Sequence, residues 1–461
     1  MATRNVFISS VLAFAAMAAT VAHAQMLAPT PPMGWNSWDA YGLTIGEDDY
    51  KANAVVLAGL VQYGWQYAVI DEGWYMQNAL GEHLEQRKYV WDANGILIPA
   101  ENRFPSSAGG AGFKPLADWV HQQGLKFGIH IVRGIPRQVV KANLPIVRSS
   151  YHAADAADQT ETCPWDDGNY GVKDNAAGQA YYDSMLKLYA SWGLDFIKVD
   201  CISARPFRPT EIRQIANAIK KTGRPIVLSL SPGPTALGDA TFVEKYAQMW
   251  RLSDDHWDGW VFEHKAGDGE FPFGVRDAFD RLAEWQAYVK PGGWPDEDML
   301  PWGWLGPHPG MGEPRQSRET QDEQRTEFTL WAISRSPLIL GANLTRLDDF
   351  TRSLITNQSV LYMNQNITYS HQVDTAKLPG FENARVWRGT INEPGARVYR
   401  EYFAFFNLDD KPVTLRATWE KLGLDGKKHA AENVWTDVDG KESKEIGVTL
   451  PAHGSALYEI R

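Results

Sequence analysis

Eight short apolar runs, each ending in a polar or glycine-rich loop, recur along the chain up to residue 344. The first is PMGWNSW (32–38), the second YAVIDEGW (67–74) and the eighth SPLILGANL (336–344). Segments with helical spacing, such as 113–123 and 177–192, lie between them. Such alternation is typical of parallel βαβ units, and eight repeats predict a closed (β/α)₈ barrel. An open doubly wound sheet is the alternative, but it usually carries a glycine-rich phosphate loop, and the sequence has neither a GxGxxG nor a P-loop motif.

The pattern changes after about residue 375. ARVWRGTI, YREYFAFFNL, KPVTLRATW and GVTLPAHGSALYEIR alternate short β-type runs with turn residues, and no long helical segment separates them. This pattern predicts a small antiparallel β-sandwich. A chain of 461 residues fits one large and one smaller domain. We therefore expect a catalytic barrel at 25–372 and a C-terminal β-sandwich at 373–461.

The first 24 residues have the features of a secretory signal peptide. Arg4 precedes an apolar stretch at 6–21, and Ala22-His23-Ala24 gives the small-x-small pattern of a cleavage site. Gln25 is then the expected first residue of the mature protein. The signal peptide predicts an exported protein, periplasmic or secreted. No later stretch is apolar enough over the length of a bilayer, so we expect no membrane segment after cleavage.

Net charge and cysteine content narrow the function classes. The formal net charge is −11 and no basic run is present, which argues against nucleic acid as a partner. The 19 tryptophans could form a large aromatic core or apolar platforms for sugar rings. An exported chain meets an oxidising compartment, so the two cysteines, Cys163 and Cys201, are either one disulfide or two buried thiols.

Carboxylates follow several predicted strands at their C-terminal ends, where barrel enzymes build their active sites. Asp71 and Glu72 end the second strand and Asp200 ends the fourth, while the sixth and seventh are followed by two pairs, Asp254 with Asp255 and Asp296 with Asp298. A single such acid is usually a helix cap. Acids on several strands at the same end favour a shared site instead.

A metal centre and glycoside hydrolysis are the two chemistries that such acids suggest. The sequence contains no HxH, HExxH or EF-hand motif, so we do not predict a catalytic metal. Glycoside hydrolysis needs one ionised and one protonated carboxyl group. Lys198 lies two residues before Asp200, on the same side of the strand, and favours its ionised form. Asp255 has a neighbouring carboxylate and aromatic residues that could raise its pKa, which suits a general acid.

At these motifs the chain resembles glycoside hydrolase family 27, the α-galactosidase (melibiase) family. TPPMGWNSWDAYG (30–42) is similar to the opening signature of the family. FIKVDC places Asp200 in the nucleophile position, and WRLSDDHWDGW places Asp255, not Asp254, in the acid/base position. GWPDEDML and EQRTEFTLWAISRSPLILGANL match two later signatures.

The resemblance implies a (β/α)₈ barrel followed by a β-sandwich, and hydrolysis with retention through a covalent glycosyl-enzyme without metal or organic cofactor. It also implies a disulfide between Cys163 and Cys201, although the family cysteine normally lies two residues past the nucleophile. His130 stands where the family commonly has tyrosine. The residues that the resemblance places against the sugar are Trp38, Asp71, Glu72, His130, Lys198 and Arg251.

Glu72 is the departure that bears on the substrate. The family usually has two adjacent aspartates here, which hold O4 and O6 of galactose. The extra methylene of Glu72 extends its carboxylate toward the place of C6, and family members with glutamate tend to prefer β-L-arabinopyranose, which lacks C6. We expect hydrolysis of terminal α-D-galactosyl residues, with β-L-arabinopyranosidase as the alternative and a galactose- or arabinopyranose-terminated oligo- or polysaccharide as the substrate. A transglycosylase and a non-catalytic sugar-binding protein are less favoured.

Overall fold

The computed structural model of the protein describes residues 26–79, 86–264, 271–392 and 399–461. The predicted signal peptide, residues 1–24, and the predicted mature start, Gln25, lie outside these described residues. Within the described ranges, no helix combines the length and the apolarity needed to cross a bilayer.

Eight parallel strands form the sheet of the larger domain, numbered β1 to β8 in chain order. Each strand from β1 to β6 pairs with the next one along the chain, and β1 also pairs with β8. A bridge between Leu300, just after β7, and Leu340 of β8 joins the remaining edges. The predicted (β/α)₈ barrel is therefore confirmed. The strands are Met33–Asn36, Tyr67–Ile70, Lys126–Val132, Phe196–Asp200, Val227–Leu230, Met249–Arg251, Trp294–Asp296 and Leu338–Leu340.

Helices fill most of the connections between these strands. The helix Pro209–Thr222 is one example. Its first residue, Pro209, has no backbone N–H to leave unpaired in the first turn, and the helix is followed by Gly223, whose φ is +73°. Its isoleucines Ile212, Ile215 and Ile219 are buried on one face. The helices α1 to α12 are Trp38–Tyr41, Glu47–Ala58, Lys114–Gln122, Arg137–Ala142, Ala153–Ala156, Ala176–Trp192, Pro209–Thr222, Ala240–Tyr246, Val275–Trp285, Gln321–Ser334, Asp349–Ile355 and Gln358–Asn366.

Two small sheets extend the loops at the open end of the barrel. After β3, the strands Ile135–Pro136, Ala157–Thr162 and Asn169–Val172 form a three-stranded sheet. After β7, Trp304–Leu305 pairs with Arg315–Gln316. The first of these sheets carries Cys163 and the residues that follow it to the rim of the barrel.

The C-terminal strands form two antiparallel sheets that pack through a core of their own, which includes Val386, Phe403, Leu415 and Val448. This arrangement confirms the predicted β-sandwich. The first strand of the sandwich precedes residue 373, and the exact domain ranges stay a prediction. In chain order the strands β9 to β16 are Tyr369–Gln372, Ala384–Asn392, Tyr399–Asn407, Val413–Thr418, Ala431–Asn433, Val438–Asp439, Glu445–Leu450 and Ser455–Ile460. The larger sheet has the order β9-β10-β11-β16-β13-β14, and β12 pairs with β15.

The barrel interior combines large aromatic side chains with glycines that make room for them. The rings of Tyr67 and Phe196 lie 5.3 Å apart between centroids inside the barrel. A Cβ atom on Gly34 would lie 2.3 Å from the carbonyl oxygen of Tyr67, and one on Gly128 would lie 2.8 Å from a methyl group of Val69. Strands β1 and β2 can therefore approach each other only because residue 34 has no side chain.

We predict that Gly34→Ala lowers the free energy of unfolding by about 2 kcal/mol or more, because the neighbour that must move is backbone rather than a flexible side chain. Urea unfolding followed by tryptophan fluorescence measures the change. Gly238→Ala is the matched control, since nothing lies within 4 Å of the added methyl group there. Equal stability of the two variants would show that the barrel relaxes around residue 34.

Candidate active site

The alternation of side chains along the strands places charged residues above the apolar interior of the barrel. In β4, Phe196 lies among the interior residues, so Lys198 and Asp200 face the same way nearer the C-terminal end. In β2, Val69 points inward and Asp71 follows it at the strand end. Polar groups from several strands therefore converge on the open end.

A cavity of about 210 Å³ lies over this polar layer. A cavity of this volume can hold one small ring-shaped ligand together with bound water. The lining residues are Trp38, Asp39, Leu43, Asp71, Glu72, Arg87, Trp165, Asp166, Lys198, Asp200, Ser231, Asp255, His256, Trp257, Asp298 and Met299.

Asp71 is the most thoroughly paired acid of the cavity. Its carboxylate accepts hydrogen bonds from Asn36 Nδ2 at 2.7 Å and from Lys198 Nζ at 3.0 Å. Burial by itself would raise the pKa of Asp71, but the charges of His130 and Lys198, together with hydrogen bonds from the backbone N–H of Glu72 and from Lys198, hold it well below its usual value. Asp71 is therefore a fixed negative charge that faces the cavity.

Asp200 lies at the end of β4, beside the disulfide. The backbone N–H of Cys201 donates to Asp200 Oδ1, and His130 Nε2 lies 3.3 Å from Asp200 Oδ2. Cys201 is bonded to Cys163, so the disulfide ties the rim sheet after β3 to the residue next to Asp200. These contacts orient the carboxylate and leave it facing the cavity.

Asp255 has a different environment. Arg251 Nη2 lies 2.5 Å from Asp298 Oδ2 and 3.3 Å from Asp255 Oδ1, so one cation serves two carboxylates. Burial in the cavity raises the pKa of Asp255, and the charges of Asp298 and Asp200 add to the rise, whereas Arg251 and Lys198 oppose it. Since 41% of the Asp255 side chain is exposed, we expect solvent to moderate this rise.

Glu72 contacts a second cation that does not reach Asp71. Arg87 Nη1 lies 3.6 Å from Glu72 Oε1 and 3.2 Å from Asp166 Oδ2. Burial raises the pKa of Glu72 well above its usual value, and the carboxylates of Asp166 and Asp200 raise it further. The two adjacent acids at the end of β2 therefore differ, with Asp71 ionised and Glu72 favouring its protonated form.

Comparison with known proteins gives the family. The family model described as alpha galactosidase A matches residues 165–366, and the model described as alpha galactosidase C-terminal beta sandwich domain matches residues 382–460. The structure of a β-L-arabinopyranosidase of family 27 from Geobacillus stearothermophilus is similar with a TM-score of 0.86 and 41% identity, covering 94% of this chain and 96% of that one. The chain belongs to glycoside hydrolase family 27.

Other relatives agree with this family. A putative α-N-acetylgalactosaminidase from Bacillus halodurans has 37% identity and a TM-score of 0.79, over 94% of this chain and 99% of that one. An α-galactosidase A from Cellvibrio japonicus is 29% identical over 95% of this chain and 93% of its own length. The family 27 resemblance found in the sequence is confirmed, and the protein is a glycoside hydrolase.

The structure brings the predicted site residues of this family 27 enzyme together. Some of them form the cavity wall, and the others lie behind that wall. The cavity wall contains Trp38, Asp71, Glu72, Lys198, Asp200 and Asp255. His130 and Arg251 are almost fully buried and contact these acids from behind. Their contacts suit them to orient and charge-balance the carboxylates.

Sequence reasoning named Asp298 only as one of the strand-end acids, and it lines the cavity. Sequence reasoning missed three further residues that take part in this arrangement. Asn36, in the motif GWNSW, lies at a predicted strand end, so its position in the barrel could have indicated it. Arg87 and Asp166 lie in long loops without periodic pattern. Their pairing joins positions that are 79 residues apart, and no local signal predicts it.

Among the described residues, one buried cluster could offer three ligand atoms to a metal. The ligand atoms of His256, Glu319 and Glu327 lie within 4.8 Å of one another. Glu327 also accepts a hydrogen bond from Trp302 Nε1 at 2.7 Å. Burial and the contact with Glu327 raise the pKa of Glu319 well above its usual value, and burial raises that of Glu327 to about 8. His256 Nε2 lies 3.1 Å from Glu327 Oε1, so the cluster contacts the segment that carries Asp255.

We predict that Lys198→Met lowers the free energy of unfolding by about 3–5 kcal/mol at pH 7, because Asp71 keeps a buried charge without its ammonium partner. Asp71 has a depressed pKa in the folded protein, so its ionisation adds stability above the unfolded pKa of about 3.9, and this is lost as the pH falls. Without Lys198 the pKa of Asp71 rises, so the difference between the two proteins should narrow toward pH 4.

Urea unfolding at several pH values measures this difference. Lys221→Met is the control, since Lys221 pairs with Asp183 at 2.6 Å with more than half of its own side chain exposed, and such surface pairs contribute about 0–1 kcal/mol. A loss no larger than that of the control would contradict the assigned role of Lys198.

Proposed function

We propose that this family 27 enzyme is a retaining exo-glycosidase with Asp200 as the nucleophile and Asp255 as the acid/base. The observation that carries the proposal is the contrast between two carboxyl groups of one cavity. Asp200 accepts a backbone N–H and contacts His130, whereas the pKa of Asp255 is raised by burial and by neighbouring carboxylates. Retaining glycosidases need one ionised and one protonated carboxyl group.

The reaction then runs in two displacements. An oxygen of ionised Asp200 attacks the anomeric carbon while Asp255 donates its proton to the glycosidic oxygen, which leaves with the aglycone. In the second step Asp255, now ionised, takes a proton from water, and the water oxygen displaces Asp200 from the anomeric carbon. Two inversions give overall retention, and the enzyme returns to its starting protonation state.

Binding of one terminal sugar fits the shape and the polarity of the cavity. Asp71 offers carboxylate oxygens and Lys198 offers N–H donors to sugar hydroxyl groups, and charge-assisted hydrogen bonds are about twice as strong as neutral ones. Trp38 provides an aromatic surface in the same wall. A cavity of about 210 Å³ has room for one ring rather than for a chain of sugars, which supports exo action.

Glu72 favours β-L-arabinopyranoside as the sugar substrate, ahead of α-D-galactoside. The two sugars share the stereochemistry of C1 to C4, and only galactose carries the exocyclic CH₂OH group at C5. Glu72 lines the cavity beside Asp71, and its longer side chain suits a sugar without that group. The Geobacillus stearothermophilus relative is a β-L-arabinopyranosidase, and one of its structures holds arabinose. α-D-Galactoside is the second candidate, because relatives such as the Cellvibrio japonicus enzyme are α-galactosidases.

We also propose that the protein acts outside the cytoplasm on glycans that end in one of these sugars. The disulfide between Cys163 and Cys201 supports an oxidising compartment. The N-terminal pattern that predicts a signal peptide supports export.

We predict that Asp200→Asn lowers kcat on the order of 10³-fold or more, because an amide cannot form the glycosyl ester. Release of nitrophenol from nitrophenyl β-L-arabinopyranoside and from nitrophenyl α-D-galactopyranoside measures the loss. Circular dichroism and the melting temperature should stay close to those of the wild type. Asp174→Asn, at an exposed pair with Arg213, is the control and should keep full activity. Sugar binding with unchanged slow turnover in wild type and variant alike would instead support a non-catalytic sugar-binding protein.

We predict that the wild type has a higher kcat/KM for nitrophenyl β-L-arabinopyranoside than for nitrophenyl α-D-galactopyranoside. Glu72→Asp should shift the ratio toward the galactoside by about 10-fold or more, the scale that one methylene group can provide in a tight pocket. A wild-type preference for the galactoside would make α-D-galactosidase the correct assignment and Glu72 a tolerated change.

A further inference from the structure

Glu72 is held by two residues that have no part in the catalytic steps, Arg87 and Asp166. Arg87 Nη1 lies between the two acids, 3.2 Å from Asp166 and 3.6 Å from Glu72. The carboxyl group of Asp166 is also close enough to Glu72 to raise the pKa of Glu72. The side chains of Glu72, Asp166 and Arg87 are only 11%, 6% and 19% exposed. We call this group of three residues the Glu72 clamp.

The clamp is anchored in the rim and not in the barrel strands. Asp166 follows Cys163 by three residues, and its Oδ1 accepts the backbone N–H of Gly168 at 2.9 Å. A Cβ atom on Gly168 would lie 2.7 Å from the hydroxyl oxygen of Tyr89, so the turn packs closely against the segment that carries Arg87. Both partners of Glu72 are therefore fixed by their own surroundings.

The charges explain why the three groups stay together. Two carboxyl groups share one guanidinium, and a single proton between the acids leaves the group neutral. A neutral arrangement avoids leaving an unpaired charge in a buried wall. Movement of the Glu72 carboxyl group away from the cavity would break its contact with Arg87, which also holds Asp166.

This restraint bears on whether galactose can fit. A galactoside could be accommodated if the Glu72 side chain turned aside and freed the space for C6. We propose that Arg87 and Asp166 are specificity-determining residues, which hold Glu72 in place and so restrict the site to pyranosides without an exocyclic CH₂OH group. The inference rests on the proposed function, since it concerns the sugar that the same cavity accepts.

The test compares Arg87→Ala and Asp166→Ala with the wild type on the two nitrophenyl glycosides. Each variant should lower the ratio of kcat/KM for the arabinoside to that for the galactoside by about 10-fold, mainly through a lower KM for the galactoside. In a Glu72→Asp background the same substitutions should change the ratio less than about twofold, because the clamped side chain is already shorter. Arg87→Lys, which keeps the charge, should restore part of the wild-type ratio.

Asp167→Asn is the matched control. Asp167 is the next residue along the chain and pairs with Arg137 at 3.0 Å, but both side chains are more than two-fifths exposed. Its removal should leave the ratio unchanged. Asp166→Asn keeps the shape of Asp166 and serves if the alanine variant does not fold.

The outcomes separate this inference from the proposed function. A wild-type preference for the galactoside overturns the arabinopyranosidase assignment, and the inference with it, before any clamp variant is measured. A wild-type preference for the arabinoside that stays within about twofold in Arg87→Ala and in both Asp166 variants overturns the inference alone. An equal loss of both activities also overturns it, since general damage to the site does not change the ratio.

Discussion

The contact between Lys198 and Asp71 governs the charge arrangement at the open end of the barrel. Both groups are buried, and they lie 3.0 Å apart with Asn36 as a further donor to the carboxylate. Neither charge is tolerable there alone, because desolvation of an ion carries a penalty of several kcal/mol. The same holds for every other acid of the layer. Each one must contact a cation, accept hydrogen bonds from several donors or carry a proton.

The layer has more acids than cations, and this excess of carboxyl groups raises the pKa of several of them. Burial raises the pKa of Asp296 to about 6 and that of Asp39 well above its usual value. Arg251 stands between Asp298 and Asp255 and is closer to Asp298. Asp255 thus receives the weaker share of that cation, which leaves it able to hold a proton. The proposed pairing of Asp255 as general acid with an ionised Asp200 is consistent with charge balance in this crowded polar layer.

The sequence predicts this layer well where period and position carry the signal. Lys198 and Asp200 are two residues apart in a strand, so their common direction follows from the alternation of side chains alone. The barrel follows from eight repeated units, and the sandwich from the change to strands without helices. Arg87 and Asp166 escape such reasoning, because loops have no period and their partners are distant in sequence. Glu327 could not be predicted for another reason. Most residues of its helix, α10, are buried, so the helix has no exposed polar face to contrast with an apolar one.

The C-terminal sandwich supports the segment that carries Asp255, the proposed acid/base, through the same helix. His256, next to Asp255, donates its backbone N–H to Asp298 and packs its ring near Glu327 of α10. The residue before Glu327 in α10, Thr326, donates its Oγ1 hydroxyl to the carbonyl oxygen of His453 in the sandwich. The ring of His453 also stacks on Trp260 at 4.2 Å, five residues after Asp255. The segment that carries Asp255 is thus held between the barrel and the second domain, which gives the sandwich a structural part in the candidate active site although none of its described residues lines the cavity.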